Sequence, residues 1–405
     1  MTDFYRIKRL PPYVFEQVNR IKAAARAQGA DIIDLGMGNP DLPAPPHVVQ
    51  KLCETVGRPR TDRYSASKGI AGLRRAQAAY YERRFGVKLN PETQVVATLG
   101  SKEGFANMAQ AITAPGDVVL VPDPSYPIHA FGFLMAGGVI RSVPAEPTPA
   151  FFSSLELAVV RSIPKPIAVV VCYPSNPTAY VASLDFYRDL VAFAKRHDLI
   201  VLSDLAYAEV YFDGEPPPSV LQLPSAMDVA VEFTSMSKTF SMAGWRIGFA
   251  VGNERLLAAL SRVKSYLDYG AFTPVQVAAT AALNGSDDCI KEMRSIYKRR
   301  RDVMVDCFTK AGWAIPRPSA SMFAWAPIPE RFRSLGSLEF SKLLVEKAHV
   351  AVAPGIGFGE RGDDYVRLAL VENEQRIRQA ARNIRRFFDS ADKTLHNVVP
   401  IAKVG

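Results

Sequence analysis

Residues 234–248 read TSMSKTFSMAGWRIG and deliver two hydroxyls, an amine and an obligate cation, as Ser235, Ser237, Lys238 and Arg246, directly after the apolar, β-branched run MDVAVEF. An amine between hydroxyls at a strand end can capture a carbonyl compound covalently, and hydroxyls with a guanidinium can grip a dianion. Comparable groups follow other apolar runs. Gly100-Ser101-Lys102 opens a helical pattern after QVVATL, Asn176-Pro177 follows AVVVCYP, and Asp204 and Tyr207 lie within LIVLSDLAY. Each has an ordinary use when taken alone: Gly-Ser makes tight strand-to-helix connections and N-caps, and Asn-Pro starts turns. Asp204 is harder to dismiss, because a carboxylate flanked by IVLS and LAY is expected in the interior and needs a partner there.

The elements that must position these groups are legible as short apolar runs alternating with helical patterns, from TQVVATLG to RIGFAVG. Such alternation predicts an α/β fold with a mainly parallel sheet sandwiched by helices. The runs are nearly continuous in Val, Ile and Leu, as in strands buried on both faces. Ligands of open parallel sheets bind beyond the carboxyl ends of the strands, where the chemical groups here stand. After Gly285 a basic amphipathic pattern, CIKEMRSIYKRRRDVMVDCFTKAG, leads to the short strands MFAWAPI, VAVAPG and DYVRLAL and a closing helix. The expected organisation is a large domain over 49–285 and a smaller α+β domain from 286–405 together with the N-terminal arm, 1–48.

The 405 residues suit two intimately joined domains, and 48% hydrophobic with 22% charged residues suits a soluble globular protein. No apolar run is long enough to span a bilayer, and the N-terminus lacks the pattern of a secretory signal, so a cytoplasmic location without a membrane partner is expected. Cys53, Cys172, Cys289 and Cys307 are scattered and are expected to be buried free thiols in a reducing compartment. The five histidines show no paired ligand spacing, so no metal site is expected. A net charge of +9 raises nucleic acid as a partner. The clusters YKRRR (297–301) and RIRQAARNIRR (376–386) recur at helical spacing among apolar positions, which predicts solvated helix faces and no nucleic-acid surface.

The conjunction of an amine, an interior carboxylate and a dianion grip matches the needs of pyridoxal 5′-phosphate. Lys238 would form the covalent link, Asp204 would keep the pyridine nitrogen protonated so that the ring acts as an electron sink, and Ser235, Ser237, Arg246 and the helix start at Ser101 would hold the phosphate.

The ordered segments GMGNPD (36–41), RYSASKGIAGLRRA (63–76), GSKEG (100–104), PDPSYP (122–127), YPSNPT (173–178), SDLAY (203–207), SMSKTFSMAGWRIGF (235–249) and VRLAL (366–370) carry a further signal. Over nearly its whole length the chain resembles the class I aminotransferases of pyridoxal-phosphate fold type I. The resemblance implies ping-pong transfer of an amino group between an L-amino acid and a 2-oxo acid. It implies that Lys238 shuttles the substrate proton, that Asp204 pairs with the pyridinium, and that Asn176 and Tyr207 bond the 3-oxygen of the cofactor. Tyr126 would stack on the ring, Ser101 and Lys102 would serve the phosphate, and Arg367 would grip the substrate α-carboxylate with Asn176 and the backbone of Gly38. Tyr64 would reach the phosphate of a neighbouring subunit, which implies a homodimer with shared active sites. On the residues alone, Arg367 serves equally as a structural ion pair, and Tyr64 and Tyr126 as packed tyrosines.

Two positions depart from the family pattern. Ala179 follows Thr178 where many relatives have glycine, and Lys102 stands where a small or neutral residue is common. GMGNPDLPAPPHVV, GSKEG, PSYPIH and APGIGFGERGDDYVR resemble most the bacterial glutamate–pyruvate (alanine-forming) aminotransferases and the related diaminopimelate aminotransferases. Glutamate/2-oxoglutarate with alanine/pyruvate is therefore the expected pair. The alternatives are LL-diaminopimelate, aspartate or another amino acid, and a carbon–sulfur β-lyase, whose segment after the lysine tends to depart from GWRIG. Transcription regulators that fuse this fold to a winged helix would need a DNA-binding domain ahead of GMGNPD, and the residues before Gly36 are expected to be too few. Lys68 and Lys102 would form a cationic rim for a distal carboxylate, with Glu103 next on the helix.

Overall fold

The computed structural model describes residues 4–396. The apolar runs become β1 (Val95–Thr98), β2 (Val118–Asp123), β4 (Pro166–Cys172), β5 (Ile200–Asp204), β6 (Ala230–Ser235) and β7 (Gly248–Gly252), with β3 (Val139–Pro144) at one edge. The spatial order is β1-β7-β6-β5-β4-β2-β3. Neighbours from β3 through β6 pair in parallel, and β7 runs antiparallel to both β6 and β1. β1 therefore points the same way as β6, and Thr98, Asp123, Cys172, Asp204 and Ser235 end along one edge of the sheet. β3 has no counterpart among the continuous apolar runs: as an edge strand it leaves Val139, Arg141 and Ser142 exposed, so its sequence is not apolar throughout.

The helices Ser101–Ile112, Ile128–Ala136 and Glu254–Leu267 pack on this sheet. They bury Phe105, Met108, Phe133, Leu257 and Leu260 against Val119, Val121, Val170 and Phe233. Each fully buried side chain of this size stabilises by roughly 1.5–3 kcal/mol.

Contacts divide the chain into one unit of Met1–Pro12, Asn39–Ser295 and Ser319–Ser321, and another of Tyr13–Gly38, Ile296–Pro318 and Met322–Gly405. These limits differ from the expected 48/49 and 285/286. The helix Pro46–Val56 packs on Thr273–Asn284, which holds the residues before 49 to the sheet unit, and the division at 295/296 falls inside the helix Asp288–Lys310. In the second unit Phe323–Pro327, Ala353–Pro354 and Tyr365–Ala369 form a three-stranded antiparallel sheet. The run VAVAPG is split, since Val350–Ala351 pairs instead with Ile33–Asp34 in a separate parallel ladder. Among the described residues no helix is long and apolar enough to cross a membrane.

Two expectations are corrected. The cluster at 297–301 is not a solvated face throughout: Arg300 and Arg301 are buried, and they donate to the carbonyls of Leu370 and Pro318 at 3.1 and 2.9 Å. Helical spacing gives the direction of a side chain but not what covers it. The second cluster does behave as a solvated face, with Arg378, Arg382, Arg385 and Arg386 exposed opposite buried Ile377, Ile384 and Phe388. All four cysteines are free, but only Cys172 is buried, and Cys53 is exposed.

Glu232 on β6 is wholly buried and accepts hydrogen bonds from Ser219 Oγ at 2.5 Å, Tyr81 Oη at 2.9 Å, Ser203 Oγ at 3.0 Å and the Val220 amide at 3.2 Å. Burial outweighs these donors and raises its pKa above the ordinary carboxylate value. A raised acid contributes stability that is complete below its unfolded pKa and is lost as pH climbs through the folded one. Glu232→Gln should therefore gain stability relative to the parent as pH rises. Urea midpoints from about pH 5 to about pH 9 should diverge in the variant's favour, and parallel curves would contradict the assignment.

Candidate active site

Ser235 ends β6 and caps the short helix Met236–Thr239, its Oγ accepting the Ser237 amide at 3.2 Å. Both serines are buried. Lys238 is half-buried, with Nζ 5.9 Å from the centroid of the buried Tyr207 ring. Beyond the next turn Arg246 adopts a left-handed backbone, φ 57°, and its guanidinium donates to the carbonyls of Ala243 at 2.8 Å and Leu99 at 3.1 Å.

Leu99 leads into the helix that starts at Ser101. Its cap, Gly100, has φ 89°, and a Cβ there would stand 2.3 Å from an Arg246 nitrogen. With no side chain at the cap, the first N–H groups of the helix keep their capacity to bind an anion. On the other side a Cβ on Gly248 would meet the Ser101 nitrogen at 2.6 Å and the Thr234 carbonyl at 2.8 Å. Arg246, Ser101 and the Ser235 turn are thereby brought together by backbone contact that only glycine allows.

Asp204, at the carboxyl end of β5, is buried. One oxygen lies 2.9 Å from His129 Nε2, and the other accepts the Ala206 amide at 3.1 Å. His129 is fully buried, lies edge-on to Tyr126 with centroids 5.9 Å apart, and was not singled out from the sequence. Its signal was available, because it is one of only five histidines and closes the segment PSYPIH. Cys172 faces Asp204 across the ladder, and His129, Cys172 and Asp204 hold potential metal-ligand atoms within 4.8 Å of one another. Burial, followed by the Asp204 charge, pushes the Cys172 thiol well up, and a protonated thiol is a poor ligand.

Asn176 is buried in the turn that follows β4. Ala179, standing where the family pattern favours glycine, takes φ 61°, a conformation that costs a non-glycine residue ~1 kcal/mol. Tyr126 is half-buried, and the exposed Lys102 places Nζ 5.9 Å over its ring. Lys68 Nζ lies 3.6 Å from Glu92, a carboxylate that Arg74 also holds at 2.6 Å. Glu103 turns away from solvent, accepting the Leu99 amide at 2.8 Å and Lys264 Nζ at 2.9 Å. Tyr64 is 86% exposed, its ring tilted against Tyr269 with centroids 4.6 Å apart.

Arg367 and Gly38 belong to the second unit. Arg367 is buried on the strand Tyr365–Ala369, donates to the Gly36 carbonyl at 3.0 Å, and lies 4.0 Å over the Phe323 ring and 4.7 Å over that of Phe358. A Cβ on Gly38 would stand 3.0 Å from Phe323 and 3.3 Å from the Arg367 guanidinium, so backbone passes close to this cation.

Residues 30–384 match the family model described as Aminotransferase class I and II. The chain belongs to this aminotransferase family. The aminotransferase is 77% identical over 401 residues to AatC of Rhizobium meliloti, whose name assigns it to the aminotransferases and gives no substrate, with 99% of both chains covered. It is 53% identical to the glutamate-pyruvate aminotransferase AlaC of Escherichia coli, over 95% of this chain and 93% of that one. With the LL-diaminopimelate aminotransferase of Moorella thermoacetica it shares 41% identity over 95% of this chain and 98% of that one. A solved aspartate aminotransferase variant of Thermus thermophilus superposes with a TM-score of 0.88 at 28% identity, covering 96% and 100% of the two chains.

The cofactor of the family is pyridoxal 5′-phosphate, and the groups present in the aminotransferase suit it. Asp204 offers a carboxylate for a cationic ring nitrogen, Lys238 an amine for a carbonyl, and Gly100-Ser101 with Arg246 a set of donors for a phosphate.

Gly100→Ala should push the Arg246 guanidinium out of its seat. Loss of a charge-assisted hydrogen bond, about 1.5–3 kcal/mol, predicts at least tenfold weaker binding of pyridoxal phosphate to the apoprotein in an absorbance titration. Gly116, at φ 90° with open space around it, is the control: Gly116→Ala strains the backbone alone and should leave that affinity unchanged.

Proposed function

We propose that this aminotransferase exchanges the amino group between glutamate/2-oxoglutarate and alanine/pyruvate, in a ping-pong course, as a cytoplasmic homodimer with shared active sites. The observation that carries the chemistry is the gathering of Lys238, the Asp204–His129 pair and the Gly100-Ser101-Arg246 cradle at strand ends of one sheet. The substrate pair rests on the greater identity to AlaC, 53% against 41% for the diaminopimelate enzyme.

Pyridoxal phosphate, when bound, supplies a carbonyl for amine capture and a protonated ring that withdraws electrons from the substrate Cα. Lys238 Nζ would carry a proton between that Cα and the cofactor carbon C4′, so that the amino group stays behind when the 2-oxo acid leaves. Asp204 holds the ring-nitrogen proton in place, and its own orientation is held by His129 Nε2 and the Ala206 amide. Preorganised charge of this kind is worth several kcal/mol because no solvent need reorganise during the reaction. Asn176 and Tyr207 would bond the 3-oxygen, Tyr126 would stack on the ring, and Ser101, Ser235, Ser237 and Arg246 would grip the phosphate. Arg367 would receive the substrate α-carboxylate beside the Gly38 backbone, its planar fork steadied between Phe323 and Phe358.

A distal carboxylate would meet Lys102, and Lys68 would contribute less because Glu92 stands 3.6 Å from it. The diaminopimelate alternative is favoured by the 41% identity but asks for a carboxylate facing a distal ammonium. Glu103, the nearest acid to Lys102 in sequence, is already committed to Lys264 and Leu99. Dimerisation is supported by an exposed apolar group, Tyr64, Tyr266, Leu267, Tyr269 and Phe272, of the kind that marks interaction surfaces.

A half-reaction screen tests the assignment. Holoenzyme mixed with glutamate or alanine should convert its cofactor to the amino form, followed by absorbance, with release of the matching 2-oxo acid. Lys238→Ala should show neither turnover nor a borohydride-trappable link, and faster conversion by diaminopimelate than by alanine would overturn the substrate pair. Site sharing predicts that Tyr64→Phe and Lys238→Ala proteins, mixed under subunit exchange, regain activity, because one hybrid site carries both lesions and the other neither. Hybrids no more active than their parents would exclude it.

A further inference from the structure

Lys264, near the end of the helix Glu254–Leu267, is wholly buried, yet it touches none of the groups assigned to the cofactor. Its Nζ bridges two carboxylates, Glu103 at 2.9 Å and Asp268 at 2.8 Å. The Glu103 side lies against the cradle. The other Glu103 oxygen accepts the Leu99 amide at 2.8 Å while Arg246 donates to the Leu99 carbonyl at 3.1 Å, so both polar groups of Leu99 are held by side chains just before Gly100 and Ser101.

The Asp268 side lies against the segment that carries Tyr64. Asp268 Oδ1 accepts the Gly270 amide at 2.6 Å, and its backbone carbonyl accepts the Ser67 hydroxyl at 2.5 Å. Gly270 has φ 79°, and a Cβ there would stand 2.3 Å from the Ala66 carbonyl, so the two loops touch through backbone. Buried Gln276 fastens the same pair of loops, donating to Ser65 Oγ at 2.8 Å and the Ala271 carbonyl at 2.6 Å and accepting the Ile70 amide at 2.8 Å. Tyr269 then meets Tyr64 ring to ring.

We propose that Lys264 is a positioning residue that ties the phosphate cradle at Leu99–Ser101 to the loop pair carrying Tyr64 and Tyr269, so that the shape of the cradle depends on Asp268, a residue outside it. The inference rests on the phosphate assignment made under the proposed function. A buried ammonium between two carboxylates has few alternative places to sit, and neutralising either acid frees it to shift toward the other. In a dimer that shares Tyr64, the same bridge joins the cradle of one site to the residue lent to its neighbour.

The test compares the dissociation constants of pyridoxal and pyridoxal phosphate for apoprotein, whose ratio isolates the phosphate contribution. General loosening of the fold weakens both ligands alike and leaves the ratio unmoved. Asp268→Asn and Lys264→Met should each lower the phosphate preference by roughly fivefold or more, the lower end of coupling between linked sites, and the double variant should lose no more than Lys264→Met alone. Should Lys264→Met fail to fold, Asp268→Asn decides, since it leaves Lys264 paired with Glu103. A preference within about twofold of the parent in Asp268→Asn overturns the proposal. A parent protein with no preference for the phosphorylated ligand overturns the phosphate assignment itself.

Discussion

The close approach of backbone at Gly248 is the constraint on which the site depends. This residue opens the antiparallel strand β7 and pairs with Thr98 on one side and Ser235 on the other. Any side chain there would enter the Ser101 amide or the Thr234 carbonyl. Because the space is empty, the start of the Ser101 helix and the turn that holds Lys238 approach from the ends of the two strands that flank β7, with Arg246 only two residues before Gly248. The seat of that arginine is in turn open because Gly100 has no Cβ. Two absent side chains thus make room for one cation and a helix start.

Around this point the protein handles interior charge by pairing it in short, closed sets. Asp204 is held by His129 and a backbone amide, Glu103 and Asp268 by Lys264, and Glu209 by Arg84 at 2.8 Å, Tyr80 at 2.7 Å and Arg294 at 3.1 Å. Glu209 follows Tyr207 in the loop after β5, and its partners fasten that loop to the helices Ala71–Phe85 and Asp288–Lys310. A charged or polar group removed from water needs such fixed partners, so each set also fixes the loop on which it stands. Glu232 is the contrasting case: its partners are hydroxyls and one amide, and burial prevails.

Much of the fold was legible because period and composition report burial directly. Six of the seven strands of the large sheet follow from continuous apolar runs, and the edge strand Val139–Pro144 does not, because one of its sides faces solvent. Arg300 and Arg301 read as surface charge, yet backbone carbonyls far along the chain receive them. Glu103 gave no sign of its inward turn, since its partner Lys264 lies 161 residues away. His129 carried only its rarity.

The sequence alone determined the class of the protein, the order of its strands along the chain, and the types of group available at their ends. Those are properties of local pattern, and an ordered string of motifs preserves them. Which groups share a site was decided by the tertiary structure, through the sheet order that sets β7 between β1 and β6 and the register that puts Asp204 opposite Cys172. It also decided which charges meet, as Arg74 with Glu92 and Glu103 with Lys264. The reason is physical: an ionisable side chain takes its role from what replaces water around it, and those neighbours come from distant parts of the chain.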